Sequence, residues 1–240
     1  MPCQRTAWAW PLAVVAVLGM LACSNSTSSR RDQVAQGDEY LAQGKVNEAV
    51  AAYRQALHQD TLNPVVLARL SRAYQAQGNG EAAERYLRRA MNRTFSEGLG
   101  ALTRRDTAAA TTAFERTLEI HPTHPLALNQ LGDLALAQDR REEAASWYER
   151  SAKANPDFAE TFVKLGNVSL ALGRTERARQ AFARAVEVNI NAAPAYLGLG
   201  RILLGEQRWA AAAEEYSKAL MVQPHSAEAQ AGLAQARSHL

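Results

Sequence analysis

The five histidines of this 240-residue chain are His58, His121, His124, His225 and His239. Only His121-Pro122-Thr123-His124 brings two imidazoles close enough in sequence to suggest a metal pair. A zinc site needs three or four ligands in fixed geometry, and no third ligand lies near these two. The segment reads instead as a proline-containing turn. Nucleophilic chemistry has no better foothold. The sequence contains no G-x-S-x-G elbow and no glycine-rich phosphate loop, and both cysteines, Cys3 and Cys23, precede the bulk of the chain. The expectation is no catalytic residue, no metal and no cofactor. An enzyme acting on cell-wall polymers is the catalytic alternative. It would need a carboxylate or histidine constellation that the sequence does not display.

Cys23 points to chemistry of another kind. Residues 1–23 read MPCQRTAWAWPLAVVAVLGMLAC: Arg5, an apolar run from Pro11 to Leu21, then Ala22 and Cys23. That is the three-part plan of a secretory signal. Arg30-Arg31 follows the apolar run, so it is not a twin-arginine signal. Met20-Leu21-Ala22-Cys23 resembles the lipobox of bacterial lipoproteins. Ala22 fits it, Met20 stands where Leu is usual, and Leu21 is larger than usual. The resemblance implies cleavage before Cys23 and acylation of its sulfur and new amino group, and two or more acyl chains anchor stably. Residues 1–22 are then a signal peptide, and residues 23–29 a lipidated cysteine and flexible tether, since Ser24 to Ser29 has nothing to bury.

Three other readings compete with this one. Ordinary secretory cleavage would prefer a smaller residue than Met20. An uncleaved anchor from Ala7 to Cys23 sits at the lower limit of roughly 17 residues and contains Pro11. A buried helix of the fold would lie beyond the reach of the repeats described below. In a Gram-negative organism, Ser24 rather than Asp after the cysteine implies an outer-membrane lipoprotein facing the periplasm. In a Gram-positive organism the same signal means the outer face of the plasma membrane.

Charge excludes other partners. With 27 basic and 24 acidic residues the net charge is +3, too balanced for nucleic-acid binding, and no dense Lys/Arg block appears. The chain is 47% hydrophobic but only 7% aromatic, with much of the apolar share alanine. Alanine favours helices and lets their backbones approach.

From residue 30 the chain repeats itself. Leu131-Gly132, Leu165-Gly166 and Leu199-Gly200 recur every 34 residues, as do Tyr148, Phe182 and Tyr216, and Ala144, Ala178 and Ala212. Pro122, Pro156 and Pro224 keep the same phase, with Ile190 in the missing place. Phe162, Leu165 and Ser169 form one stripe at helical spacing. Gly166 gives a second helix room, Ala178 is its small partner, and Phe182 fills the space beside them. Gly173 suits a left-handed helix end, Thr175 a cap for the next helix, and Asn63-Pro64 an N-cap with proline at the first helical position.

A 34-residue period of helix–turn–helix units resembles the tetratricopeptide repeat family. The resemblance implies an all-α, right-handed α-solenoid over residues 30–240, in which each repeat buries its apolar face against its neighbours. About six repeats begin near Arg30, Pro64, Met91, Pro125, Ala159 and Ala193, and a capping helix runs from Ala227 to His239.

The third repeat departs from the rule, because the step from Pro64 to Met91 is 27 residues. Seven residues are close to two helical turns. Thr94-Phe95-Ser96-Glu97 reads as a capping box, which predicts a helix starting there. The usual core places hold Thr94, Glu97 and Ala101, while Phe95, Leu99 and Leu102 form the apolar stripe. Either the helix is rotated and the stripe is buried, or the stripe is a hydrophobic docking site.

The family resemblance implies that first helices line a concave groove that holds a protein or peptide ligand. The groove-facing places are Arg72, Asn129, Asp133, Lys164, Asn167 and Arg201. Asn and Arg there could bind a partner's backbone or carboxylate; the alternative is a solvated polar face. Asp133 breaks the family's carboxylate clamp. The resulting expectation is a scaffold held at the membrane by its lipid and binding envelope proteins. Its architecture resembles that of type IV pilus biogenesis lipoproteins, which assist secretin assembly. A scaffold for exopolysaccharide synthesis or export is the other reading.

Overall fold

A computed structural model of the chain describes residues 31–240. The signal segment, Cys23 and the 23–29 tether lie outside the described residues. Among the described residues there are helices and turns but no strand. The helices are α1 (31–42), α2 (Val46–Gln59), α3 (Pro64–Ala76), α4 (Gly80–Thr103), α5 (Thr107–Ile120), α6 (Pro125–Ala137), α7 (Arg141–Ala154), α8 (Ala159–Ala171), α9 (Thr175–Val188), α10 (Ala193–Gly205), α11 (Trp209–Val222) and α12 (Ala227–Arg237). They form two compact units, one ending at Arg93 and one running from Thr94 to Leu240.

The turn inside each repeat is built the same way. Gly44, Gly78, Arg105, Asp139, Gly173 and Gln207 all have φ between 58° and 81°. The amide after each one reaches back five residues along the first helix, as in Asn79 to Tyr74 at 2.9 Å and Arg174 to Ser169 at 2.8 Å. This is a Schellman ending, which satisfies carbonyls the helix leaves open. Only three of the six residues are glycines, and a side chain in left-handed backbone costs roughly 1–2 kcal/mol. The next helix starts almost at once. Thr175 is therefore not the cap of α9 but its first residue, and Arg174 precedes it with no side-chain cap. Asn63 does cap α3, accepting from the amides of Val65 and Val66 at 3.1 and 3.2 Å.

Helix pairing rests on one contact used again and again. In every repeat but the second, an aromatic ring on the second helix lies against the glycine sixteen residues before it. Gly37 meets Tyr53, Gly98 Phe114, Gly132 Tyr148, Gly166 Phe182 and Gly200 Tyr216, and a Cβ at any of these glycines would lie 2.4–2.9 Å from the ring. Gly166 thus makes room for Phe182 itself, while Ala178 is fully buried. The following repeat closes on the same rings, with Gly198 against Phe182 and Gly232 of α12 against Tyr216. The second repeat has Ser71 at the glycine place, and its hydroxyl donates to the Ala83 carbonyl at 2.7 Å.

The expected helix start at Thr94 does not exist. α4 is continuous from Gly80 to Thr103. The connecting turn that carries Pro122, Pro156 or Pro224 elsewhere is what the 27-residue step lacks. From Glu81 to Glu97 there is no Pro or Gly, so the second helix of repeat two runs on as the first helix of repeat three. Nor is this helix rotated. Thr94, Gly98 and Ala101 are buried, Gly98 against Phe114 and Thr94 accepting a hydrogen bond from the Thr117 hydroxyl at 2.9 Å.

Candidate functional site

In the unit from Thr94 onward, the first helices of successive repeats are α8, α10 and α12, preceded by α6 and the end of α4. The residue after each packing glycine stands one place further along the first helix, and these are Leu99, Asp133, Asn167 and Arg201. Three residues further along lie Leu102, Leu136, Leu170 and Leu204. These leucines are half-buried or exposed. Leu102, Leu170 and Leu204 also touch the core clusters beneath them. The first helices therefore carry a row of leucines beside a row that is mostly polar.

The polar row is tied together internally. The Tyr148 hydroxyl donates to Asp133 Oδ1 at 2.7 Å, and Lys164 Nζ donates to Asp133 Oδ2 at 2.7 Å. Lys164 also pairs with Glu160 at 3.1 Å. Burial pushes the Tyr148 phenol well above its ordinary value, and the Asp133 charge adds to this. Burial pulls the Lys164 ammonium down, but the bonds and charges of Asp133 and Glu160 outweigh it, and the balance is upward. Lys164 is held charged and occupied. Arg201 pairs with Glu228 of α12 at 2.9 Å. Asn167 is exposed.

Asn129 is not on the open face. It is buried, and its amide donates to the Thr161 hydroxyl at 2.8 Å, joining α6 to α8. Asn129 is therefore a structural hydrogen-bonding residue. In the unit ending at Arg93, Arg72 is exposed on α3. There Asp38 accepts from the Tyr53 hydroxyl at 2.6 Å and pairs with Arg69. That arrangement repeats, position for position, the one around Asp133.

Tetratricopeptide repeat models match residues 40–97, and 95–157 with 163–229. The chain belongs to the tetratricopeptide repeat family. No curated protein matches the sequence significantly. Two similar solved structures share the tetratricopeptide fold. One is pilF of Pseudomonas aeruginosa, 18% identical with a TM-score of 0.54, over 88% of this chain and 99% of that one. The other is the APC/C hetero-tetramer Cut9-Hcn1, 18% identical with a TM-score of 0.54, over 85% of this chain. This chain spans 42% of the length of that second relative.

Tetratricopeptide repeats form interaction scaffolds, and the remaining predicted residues take their places on this one. Phe95 and Leu102 pack half-buried on the cluster around Phe114 and Leu128, whereas Leu99 is 42% exposed. The apolar stripe is thus split: its two ends serve the core and Leu99 faces outward. Among the described residues no group of three metal-ligating side chains exists. His124 is committed to the turn, where its Nδ1 accepts from the Ala127 amide at 3.1 Å and caps α6. His121 lies edge-on to it, ring centres 6.1 Å apart.

Sequence reasoning missed Tyr148, Glu160 and Glu228 as partners of the polar row, and Leu136, Leu170 and Leu204 as members of the apolar one. The leucines had a signal, since they recur at the 34-residue period. The pairing partners had a weaker one: a tyrosine rather than phenylalanine stands sixteen residues after the glycine wherever the residue following that glycine is charged and pairs, at Asp38, Asp133 and Arg201.

Proposed function

We propose that this chain is a lipid-anchored scaffold of the bacterial cell envelope whose first-helix face holds a protein segment. The observation that carries the reading is the leucine row Leu102, Leu136, Leu170 and Leu204 beside a polar row already neutralised from within. Half-exposed leucines repeated along one face offer a partner apolar surface to cover. Asp133 with Lys164 and Arg201 with Glu228 have satisfied their charges, so the face does not demand an acidic chain terminus. Asn167, exposed between them, has the donors and acceptor to bond a passing backbone. The partner of this reading is an amphipathic segment that lays its apolar side on the leucines.

The envelope setting rests on the signal segment and Cys23. Assistance to type IV pilus or secretin assembly is the specific role we propose, supported at the level of fold by the likeness to pilF over nearly the full length of both chains. A photo-crosslinking residue at Leu136 or Asn167, expressed in the native envelope, should capture one defined envelope protein, and Asn167→Ala with Arg201→Ala should weaken its recovery without loss of helix content. Equal capture from Arg184 on the second-helix side would remove the site. Cys23→Ser should release the protein from membranes; unchanged fractionation would discredit the anchor.

A further inference from the structure

In the unit ending at Arg93, the second helices α2 and α4 border a shallow cleft of about 190 Å³ lined by Arg54, Leu57, His58, Thr61, Tyr86 and Arg89. Three of these side chains are basic and none is a carboxylate. None of the three is in an ion pair among the described residues. Arg89 is held in place: its guanidinium donates to the Thr61 carbonyl at 3.2 Å and lies over the Tyr86 ring at 5.7 Å. Tyr86 is fixed in turn, stacked on Tyr74 with ring centres 5.4 Å apart and planes 4° from parallel. Arg85 reaches the same ring from 5.6 Å. The nearby carboxylates are turned to other tasks. Glu84 pairs with Arg88 at 3.5 Å, and Asp60 accepts from the Leu62 amide and the Asn63 side chain.

Cations gathered without a counter-charge repel one another, and an anion between them relieves that repulsion. The guanidinium fork matches the oxygens of a phosphate in spacing and plane. Size narrows the choice further. The cleft is smaller than the roughly 300–1,000 Å³ of a drug-sized site, yet several times the roughly 30 Å³ of one water.

We propose that the α2–α4 cleft binds a phosphate group, with Arg54 and Arg89 gripping its oxygens and His58 and Tyr86 closing its sides. A phospholipid headgroup and a soluble phosphate share this chemistry. The site is separate from the first-helix face, so either proposal can stand without the other.

The full chain in detergent is titrated calorimetrically with inorganic phosphate at low salt, and its recovery on phosphatidylglycerol vesicles is compared with that on phosphatidylcholine vesicles. Arg54 makes no hydrogen bond within the protein among the described residues, so Arg54→Gln tests binding without touching the fold. An unchanged urea midpoint verifies this. Losing one charge-assisted contact should weaken binding about tenfold, Arg54→Lys should restore part of it, and Arg116→Gln on α5 should have no effect. Loss of phosphate affinity alone identifies a soluble ligand. A matching loss on phosphatidylglycerol vesicles identifies a headgroup. Wild-type protein that binds neither probe, or binding that Arg54→Gln and Arg89→Gln both leave unchanged, overturns the proposal.

Discussion

Tyr148 donates to Asp133 across the α6–α7 contact, and Asp133 passes the connection on to Lys164 of α8. Three helices from two repeats thereby share one carboxylate. The same device stands in the other unit as Tyr53, Asp38 and Arg69. The tyrosine ring lies against a glycine, which brings its hydroxyl to the carboxylate of the residue that follows. A polar residue there becomes an anchor between repeats before it can be a ligand for anything else.

Tyr148→Phe removes one hydrogen bond and should cost about 0.5–1.5 kcal/mol, while Asp133→Ala leaves the buried hydroxyl without an acceptor and should cost about 1–3 kcal/mol. The double variant should lose less than the sum, because the two share one interaction. Urea unfolding of the four proteins measures this. Additive losses would show that the bond contributes nothing.

The left-handed turn residues predict opposite signs. Gly173 has φ +71° with open space around it, so Gly173→Ala should destabilise by about 1 kcal/mol through the backbone alone. Gln207 has φ 59°, and Gln207→Gly should stabilise by roughly 0.5–1 kcal/mol once the greater chain entropy of glycine is offset. Thermal melts of both variants give the comparison, and shifts of the same sign would count against it.

Continuity of α4 can be tested at Asn92, which is exposed. Proline ahead of a helix that began at Thr94 would be tolerated. Inside an unbroken helix, Asn92→Pro should cost about 3 kcal/mol or more. A variant with wild-type helix content and stability would restore the late start.

Acid should loosen the α5–α6 turn. Burial, and then the charge of His121, hold the His124 pKa below the ordinary histidine value of 6.5. The folded form therefore prefers neutral His124, whose Nδ1 caps α6, while the unfolded chain takes up the proton more readily. The stability from this group is fully present above about pH 6.5 and declines as pH falls from there through the lowered native value. His124→Asn keeps a capping oxygen but does not titrate. Its melting temperature should drop less than the wild type's between pH 7 and pH 5, and parallel curves would dismiss His124 as the cause.

Most of the helical plan was legible because it is written in short-range spacing. Gly132 and Tyr148, or Gly166 and Phe182, stand in fixed phase since two packed helices and a three-residue turn always place them together. Asn63 was readable as a cap because its hydrogen bonds stay within three residues. Thr94 misled because the same residues that make a capping box also sit comfortably inside a helix, and only the missing turn distinguishes the two. Arg105, Asp139 and Gln207 were invisible as turn residues because the Schellman hydrogen bonds hold the left-handed backbone against the preference of the side chain.

Taken alone, the residue order determined the 34-residue period, the pairing of helices and the membership of the family, because each follows from side-chain size recurring along a helix. Tertiary structure decided which polar residues remain open to a partner. Asp133 meets Lys164 thirty-one residues away, and Asn129 meets Thr161 thirty-two away. Such distances match no helical or strand period and arise only when neighbouring repeats stack. The sequence places these residues on the right helices; the stacking buries Asn129, neutralises Asp133 and leaves Asn167 exposed.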